Sequence, residues 1–286
     1  MMTSGPGPIT SRRRLRMALR QLRLTGDHSL EDIRAEMDWS LSKVMRIESG
    51  MVSISVNDLR ALLAFYGVVD PDEVDCFVDL ARSARRRHWA GQYREYVSTS
   101  YMDFLGYEDD ASRISQYHPF LIPGLLQTQD YARLVATAGP HNRDSQAVEA
   151  RVRLRMARQD RVFSNDRHHS VRFVLDERAL KPVHDPDVMR HQIDKILHLL
   201  PRLDLVILRQ DSAAEPGFVG PFSYHEFHSD LDPDVVYLDN QPDDVALIEE
   251  PDIVTRYKTA FRELSDQAVP GASEPGREIL NRHGGH

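Results

Sequence analysis

The sequence predicts an α+β protein in which an all-α N-terminal domain of five helices precedes a larger mixed α/β domain with a small sheet. Up to about residue 82, apolar residues recur at helical spacing, and helix-capping residues such as Ser29 and Ser40 precede the segments. From Trp89 onward, short runs rich in β-branched and aromatic residues alternate with helical patterns. We therefore predict a first domain at 10–82, a hinge at 83–91, a second domain at 92–269 and a tail at 270–286.

The composition of the 286 residues, with 41 % hydrophobic and 28 % charged, is typical of a water-soluble protein. No apolar run is long enough to span a membrane, and the first residues, MMTSGPGPITSRRR, lack the apolar core of a signal peptide. We therefore expect a cytoplasmic protein with no membrane partner. The single cysteine, Cys76, excludes an internal disulfide, and its place on a predicted helix favours a small buried hydrophobe.

Charge is distributed unevenly along the chain. Residues 1–60 hold ten Lys/Arg against seven Asp/Glu, a net charge of +3, so the remainder carries −11 of the total of −8. This asymmetry is typical of a DNA-facing head on an acidic body. Because a net charge of +3 is modest, we expect the two DNA-binding domains of a homodimer to contribute to the affinity together.

The stretch from Ser29 to Gly50, SLEDIRAEMDWSLSKVMRIESG, predicts two short helices joined by a tight turn. Ser29 is a good N-cap with Asp32 as its reciprocal partner, Ser40 can cap the second helix, and Gly50 supplies the left-handed residue that ends it. The spacing divides the second helix into an inward set, Leu41, Val44, Met45 and Ile47, and an outward set, Ser42, Lys43 and Arg46. Such a helix pair can place its second helix in the DNA major groove.

The pattern S-L-x-x-I … W-S-x-S-K-V-x-R-I-E-S-G resembles the helix-turn-helix of the XRE/phage-repressor family. In that family the first residues of the second helix reach base edges. The resemblance therefore implies a protein that binds double-stranded DNA through Ser40, Leu41, Ser42, Lys43 and Arg46. Lys43 and Arg46 could donate to guanine or to phosphate. We add Ser29 to this contact set, and also Ser53, which could reach the DNA backbone.

The family also has a glutamate near the end of the second helix, which matches Glu48. This glutamate usually pairs with an arginine of the first helix, for which we predict Arg20, with Arg23 as the next candidate. Arg34 and Asp38 depart from the family pattern, which favours a small residue and a turn glycine there. Aspartate tolerates the left-handed conformation, whereas the Arg34 guanidinium must extend out of the helix packing.

Further arginines flank the motif. On the predicted first helix, Arg12, Arg13, Arg16 and Arg20 surround the leucine face, and we expect some of them to lie near phosphates. The hinge contains Arg85, Arg86 and Arg87. Three interpretations of this run stay open: a phosphate clamp, a contact with the acidic body, or an exposed helix end.

The second domain reads as strands and helices in alternation. We predict strands at 171–175, 203–208, 222–227 and 234–238, and helices at 148–163, 187–200 and 245–268. The tail from Pro270 is poor in core residues, and only Ile279 and Leu280 could dock.

This domain also resembles known proteins. Its tyrosine-rich start at 89–107, the I-P-G-L-L-Q-T stretch at 122–128 and the runs RVRLRMARQDRVF and VLDERAL resemble the C-terminal domain of a large group of actinobacterial regulators. In that group a small XRE head precedes a body of uncharacterised function. The resemblance implies a transcription regulator, often encoded beside a small partner protein and sometimes antitoxin-like, and it does not imply an enzyme.

The sequence contains no motif that indicates a particular enzymatic reaction. We find no G-x-S-x-G, P-loop or G-x-G-x-x-G in a suitable context. The histidines at 184, 191 and 198 are spaced by seven rather than by the three or four of helical metal ligands, so we predict no metal and no cofactor. Residues 122–126 predict a tight turn that anchors a helix near Thr128. The alternative is the lip of a partner or ligand site formed by Tyr117, Phe120, Pro123, Leu126, Gln127 and Tyr131, although clustered aromatics are more often core.

Three functions remain in competition. The first is a sequence-specific transcription regulator, dimeric on a pseudo-palindromic operator, whose second domain binds a signal or a partner. The second is an antitoxin-like interaction protein whose second domain binds a small partner protein and whose DNA binding is autoregulatory. The third and least favoured is a second domain that binds an unknown small molecule or acts as an enzyme.

Overall fold

The computed structural model describes residues 5–138, 144–164, 170–181, 185–211, 220–241 and 244–284. The chain divides into two compact units, Met1–Trp89 and Ala90–His286, and the boundary lies within the segment 83–91. Each unit has its own apolar core.

Unit 1 is all-helical, as the sequence predicts. Its helices are α1 (Pro8–Thr25), α2 (Leu30–Glu36), α3 (Leu41–Glu48), α4 (Val56–Phe65) and α5 (Pro71–Ala84). Helix α1 begins two residues earlier than Thr10, with Pro8 in its first turn, where a proline lacks no hydrogen bond that the helix needs.

The core of unit 1 is built from the apolar stripes of all five helices. Its most buried members are Leu19, Ile33, Val44, Leu59, Leu63 and Val78, each at most 2 % exposed. Cys76 does not belong to it. The cysteine is exposed on α5, and the prediction of a buried residue was wrong because the inward face of that helix falls on Phe77 and Val78.

Unit 2 combines helices with one sheet. Its helices are α6 (Thr99–Asp110), α7 (Gln129–Ala138), α8 (Ser145–Val162), α9 (Pro186–Leu199), α10 (Pro251–Asp266) and α11 (Glu274–Gly284). Its strands are β1 (Arg113–His118), β2 (Ser170–Asp176), β3 (Asp204–Leu208), β4 (Phe222–Glu226), β5 (Val235–Gln241), β6 (Asp244–Ile248) and β7 (Val269–Pro270).

The described strands form a single seven-stranded sheet in the order β6-β5-β4-β1-β2-β3-β7. Strands β1, β2 and β3 run parallel, and the remaining neighbours are antiparallel. One face of the sheet carries the larger core, to which α7, α9 and α11 contribute Tyr131, Ile193 and Leu280. The other face packs against Val254, Phe261 and Leu264 of α10.

The sheet is larger than the sequence predicts. Strands β2 to β5 were predicted, but β1 was missed because its residues RISQYH include three polar side chains that turn out to be buried or nearly so. Strand β6 was assigned to the helix at 245–268. In the structure that helix begins only at Pro251, because the apolar residues before it pair with β5 instead.

The predicted tail is part of unit 2. Strand β7 pairs with β3, and α11 places Ile279 and Leu280 in the core, as those two residues suggested. A Cβ at Gly276 would collide with the carbonyl oxygen of Pro270, so α11 starts in close contact with β7. Residues 270–284 therefore pack against the sheet and the core of unit 2.

In the part of the chain that the structure describes, every helix is too short or too polar to cross a lipid bilayer.

Candidate nucleic-acid interface

Helix α2 begins at the capping box that the sequence predicts. The Ser29 hydroxyl accepts a hydrogen bond from the Asp32 amide at 3.1 Å, and the Ser29 amide donates to the Asp32 carboxylate at 2.8 Å. The Ser29 hydroxyl also donates to the Asp32 carboxylate at 2.7 Å, and the amide and hydroxyl bonds to this carboxylate lower the pKa of Asp32 below its usual value. Ser29 is exposed, and its hydroxyl is engaged in the cap.

The turn between α2 and α3 depends on Asp38. Its φ of +51° lies in the left-handed region, which aspartate tolerates better than most residues. The turn brings Ser40 to the N-cap of α3, where its side chain accepts a hydrogen bond from the Lys43 amide at 3.2 Å. Both features were predicted from the sequence.

Helix α3 buries a narrower face than expected. Val44 and Ile47 are buried against Ile33 of α2 and the rest of the core. Leu41 and Met45 were assigned inward, but they are 42 % and 54 % exposed. The reason is geometric, because residues follow one another by about 100° around a helix and both side chains lie on the side of Val44 away from Ile47.

Four exposed side chains, Leu41, Ser42, Met45 and Arg46, form what we call the outer face of α3. Ser40 is exposed beside it at the N-cap. The outer face thus carries one cation, one hydroxyl and two apolar side chains.

Lys43 lies at the edge of this face and points toward α4. Its ammonium group is 3.3 Å from a carboxylate oxygen of Asp58 and 3.9 Å from the centre of the Trp39 ring. Helical periodicity could not identify Asp58 as the partner of Lys43, because Asp58 lies fifteen residues further along the chain, on another helix. Of the two cations predicted to contact DNA, Lys43 and Arg46, Lys43 therefore already has partners within unit 1.

The ion pair that stabilises the motif joins Arg23 to Glu48. Arg23 Nε and Nη2 donate to the two carboxylate oxygens at 2.5 and 3.2 Å, and Arg23 Nη1 donates to the His28 carbonyl at 3.1 Å. This bonding raises the pKa of Arg23. The predicted partner, Arg20, was wrong. Arg23 follows the buried Leu19 by four residues and shares its face, whereas Arg20 is exposed.

The connector between α3 and α4, residues 49–55, packs against the rest of unit 1. Gly50 has a φ of +75°, as the end of the helix requires, and Ser53 is exposed. Ile54 is buried, and its carbonyl accepts a hydrogen bond from Arg85 at 2.6 Å. Arg85 therefore has a structural role that none of the three sequence interpretations anticipated.

Two other arginines differ in their access to solvent. Arg34 extends from α2 and pairs with Glu31 at 2.6 Å, which resolves its departure from the family pattern. Arg13 is buried on α1, so it cannot be one of the arginines that lie near phosphates.

The second candidate site, around residues 117–131, is not formed. Tyr117 and Tyr131 are fully buried on opposite faces of the sheet, and Phe120 is 66 % exposed. The alternation of side chains along β1 directs Tyr117 toward α10, away from the side where Tyr131 packs. These aromatic side chains therefore do not line a common lip.

The segment 122–128 acts instead as a structural turn. Pro123 and Leu126 are buried, and Gln127 donates to the Ile122 carbonyl at 2.7 Å and accepts from Arg155 at 2.9 Å. Gln192 of α9 donates to the Leu126 carbonyl at 2.8 Å. This supports the structural interpretation of the segment, and α7 begins directly after it at Gln129.

Metal-ligating side chains do not gather in the described parts of the chain. No group of three or more His, Cys, Asp or Glu residues among them is placed to hold an ion. His184 lies outside the described residues.

Two helices joined by a tight turn, with a capped and exposed second helix, define a helix-turn-helix protein. Residues 14–77 match the family described as helix-turn-helix domain. Residues 101–273, more than half of the chain, match the family described as domain of unknown function (DUF5753), and the chain belongs to this family. No curated protein and no solved structure shows a match.

Proposed function

We propose that this protein is a sequence-specific transcription regulator that reads double-stranded DNA with the outer face of α3. The observation that carries this proposal is the exposure of Ser42 and Arg46 on a helix whose position is fixed by contacts with the rest of unit 1. Val44 and Ile47 fasten its inner side, Ser40 caps its start, and the Arg23 pair fastens its end. A fixed helix with a free polar edge is what direct reading of base edges requires.

The residues of the interface divide by role. Arg46 can donate two hydrogen bonds to guanine, and Ser42 can bond to either type of base. Lys43 and Ser53 fit contacts with phosphate oxygens, which position the protein on the duplex without reading sequence. Ser29 fits this role less well, because its amide and hydroxyl both donate to the Asp32 carboxylate.

Assembly as a homodimer follows from charge. A balance of +3 in residues 1–60 supplies few phosphate contacts, so two copies on a two-fold operator would double them. Half-sites one or more helical turns apart would follow from the two-fold symmetry of such a dimer.

We assign unit 2 the role of receiving a signal rather than of catalysing a reaction. A buried ion pair, Arg158 with Glu108 at 2.6 Å, connects α8 to α6 and is better suited to packing than to proton transfer. The signal is a small molecule or a small partner protein encoded nearby, the second case being that of antitoxin-like actinobacterial regulators.

The direct test begins with selection of duplexes from a random-sequence pool by the full chain. Binding of the selected duplex is then measured by fluorescence anisotropy for the wild type and for the double variant Ser42→Ala/Arg46→Ala. We expect the variant to bind at least about tenfold more weakly, because one bidentate arginine–guanine contact accounts for roughly 1–3 kcal/mol.

The matched control is Arg60→Ala, which removes an exposed arginine of α4 that pairs with Asp75. It should bind within about twofold of the wild type. Failure to select any sequence, or equal affinity of the wild type and the double variant, would contradict the proposed function.

A further inference from the structure

The outer face of α3 carries more apolar surface than a purely polar reading helix needs. Leu41 and Met45 are four residues apart and therefore lie one above the other along the helix. Ser42 and Arg46 form a second row beside them with the same spacing. Apolar and hydrogen-bonding side chains are thus presented side by side.

Hydrogen-bonding capacity on this face is correspondingly small. Leucine and methionine donate no hydrogen bond, and Lys43 is engaged by Asp58 and Trp39. Ser40 is engaged in the helix cap. Base reading by donors therefore depends mainly on Ser42 and Arg46.

The major groove offers one apolar group, the C5-methyl group of thymine. Leu41 and Met45 are separated by about 6 Å along the helix axis, at 1.5 Å per residue, which is close to two base-pair steps of about 3.4 Å each. Two exposed apolar side chains at this spacing match methyl groups on base pairs that are two steps apart.

We propose that Leu41 and Met45 are specificity-determining residues that recognise thymine methyl groups, so that each half-site carries A·T pairs beside the pair read by Arg46. This inference rests on the proposed function and adds the chemistry of the recognised bases. The flanking Ser42 and Arg46 favour DNA over an apolar protein partner as the occupant, because a cation beside the patch complements phosphate and base edges.

The experiment compares the selected duplex with a copy in which deoxyuridine replaces thymidine, one position at a time. This exchange removes a methyl group and leaves the base-pair hydrogen bonds unchanged. For the wild-type chain, we expect about fourfold weaker binding for each contacted methyl group that is lost. The double variant Leu41→Ala/Met45→Ala should bind both duplexes equally and more weakly than the wild type binds the thymine duplex.

The matched control is Val69→Ala, which truncates an apolar side chain that is 79 % exposed between α4 and α5. It should retain the wild-type difference between the two duplexes. Circular dichroism would verify that the double variant folds, as the exposure of both side chains leads us to expect.

The outcomes separate the two proposals. A wild-type chain that selects a sequence but binds thymine and uracil duplexes equally would overturn the methyl recognition and leave the proposed function intact. A double variant with unchanged DNA affinity would do the same. Failure to select any sequence would remove both.

Discussion

At the scale of single residues, Lys43 has a partner within unit 1 and is proposed to contact DNA. Its ammonium group is close to the Asp58 carboxylate, and both side chains are more than one third exposed. Such an exposed pair contributes about 0–1 kcal/mol to stability, so the lysine can exchange Asp58 for a phosphate at small cost. The acidic partner nevertheless lowers the positive charge that the interface offers.

Asp58→Asn should therefore strengthen DNA binding. The substitution removes the carboxylate that competes for Lys43, and the affinity should rise several-fold at low salt. The slope of log affinity against log salt concentration should become steeper by about one phosphate contact. Titrations between low and moderate salt measure both quantities.

The control is Asp75→Asn, which makes the same charge change at the carboxylate that pairs with Arg60. Equal effects of the two substitutions would show that overall charge, rather than release of Lys43, is responsible.

His118 of unit 2 should make the stability of the protein depend on pH. Burial, together with the charge of Arg158, lowers the pKa of His118 to about 3, and the Asp239 carboxylate at 3.9 Å does not offset this. The folded protein therefore keeps His118 neutral, whereas the unfolded chain binds a proton below about pH 6.5. The stabilising effect of the neutral form is complete above pH 6.5 and is lost as the pH falls toward 3.

Urea unfolding at pH 7 and pH 5 should reveal this linkage. One proton taken up on unfolding lowers the free energy of unfolding by about 1.4 kcal/mol per pH unit. His118→Gln should flatten the dependence by that amount. Identical pH profiles for the wild type and His118→Gln would contradict the assignment.

At the scale of elements, α2 and α3 are short helices that depend on their caps. Helices of seven and eight residues are not stable in isolation. The serine caps and the packing against the core therefore stabilise α2 and α3. The Arg23–Glu48 pair adds a connection from α1 to the end of α3. The position of the outer face of α3 therefore depends on residues outside that face.

Stability and DNA binding should separate along α3. Ser40→Ala removes the cap and should lower the stability of unit 1 by about 1 kcal/mol, measured as a fall in melting temperature. Ser42→Ala, two residues later on the exposed side, should leave the melting temperature unchanged or slightly higher, because alanine favours a helix more than serine does, and should weaken DNA binding instead. A larger loss of stability for Ser42→Ala would contradict the assignment of these two serines.

Local signals explain which elements the sequence predicts. Capping residues, the left-handed Asp38 and Gly50 and regular apolar spacing act within a few residues, so the five helices of unit 1 could be placed from sequence. Strand β1 was missed because its burial depends on β2 and β4, which lie far along the chain. The exposure of Met45 likewise depends on where the other helices leave α3 uncovered.

At the scale of the whole molecule, sequence patterns could indicate both compact units, whereas pairings between distant residues could not be predicted. Glu48 was correctly expected to bind an arginine of α1, but the choice of Arg23 over Arg20 depends on how α1 rotates against α3. The candidate aromatic lip failed for the same reason, because the sheet separates Tyr117 from Tyr131. The unequal charge of the two halves, +3 for residues 1–60 and −11 for the remainder, is evident from the sequence alone.

The most direct test of the account is photo-crosslinking of the full chain to its selected duplex from a single photoreactive residue in place of Met45. The matched protein carries the same group in place of Val69. We predict an efficient crosslink from position 45 that maps to the major groove of each half-site, and background yield from position 69. Equal yields from the two positions, or no crosslink from position 45 on a bound duplex, would contradict the claim that the outer face of α3 reads DNA.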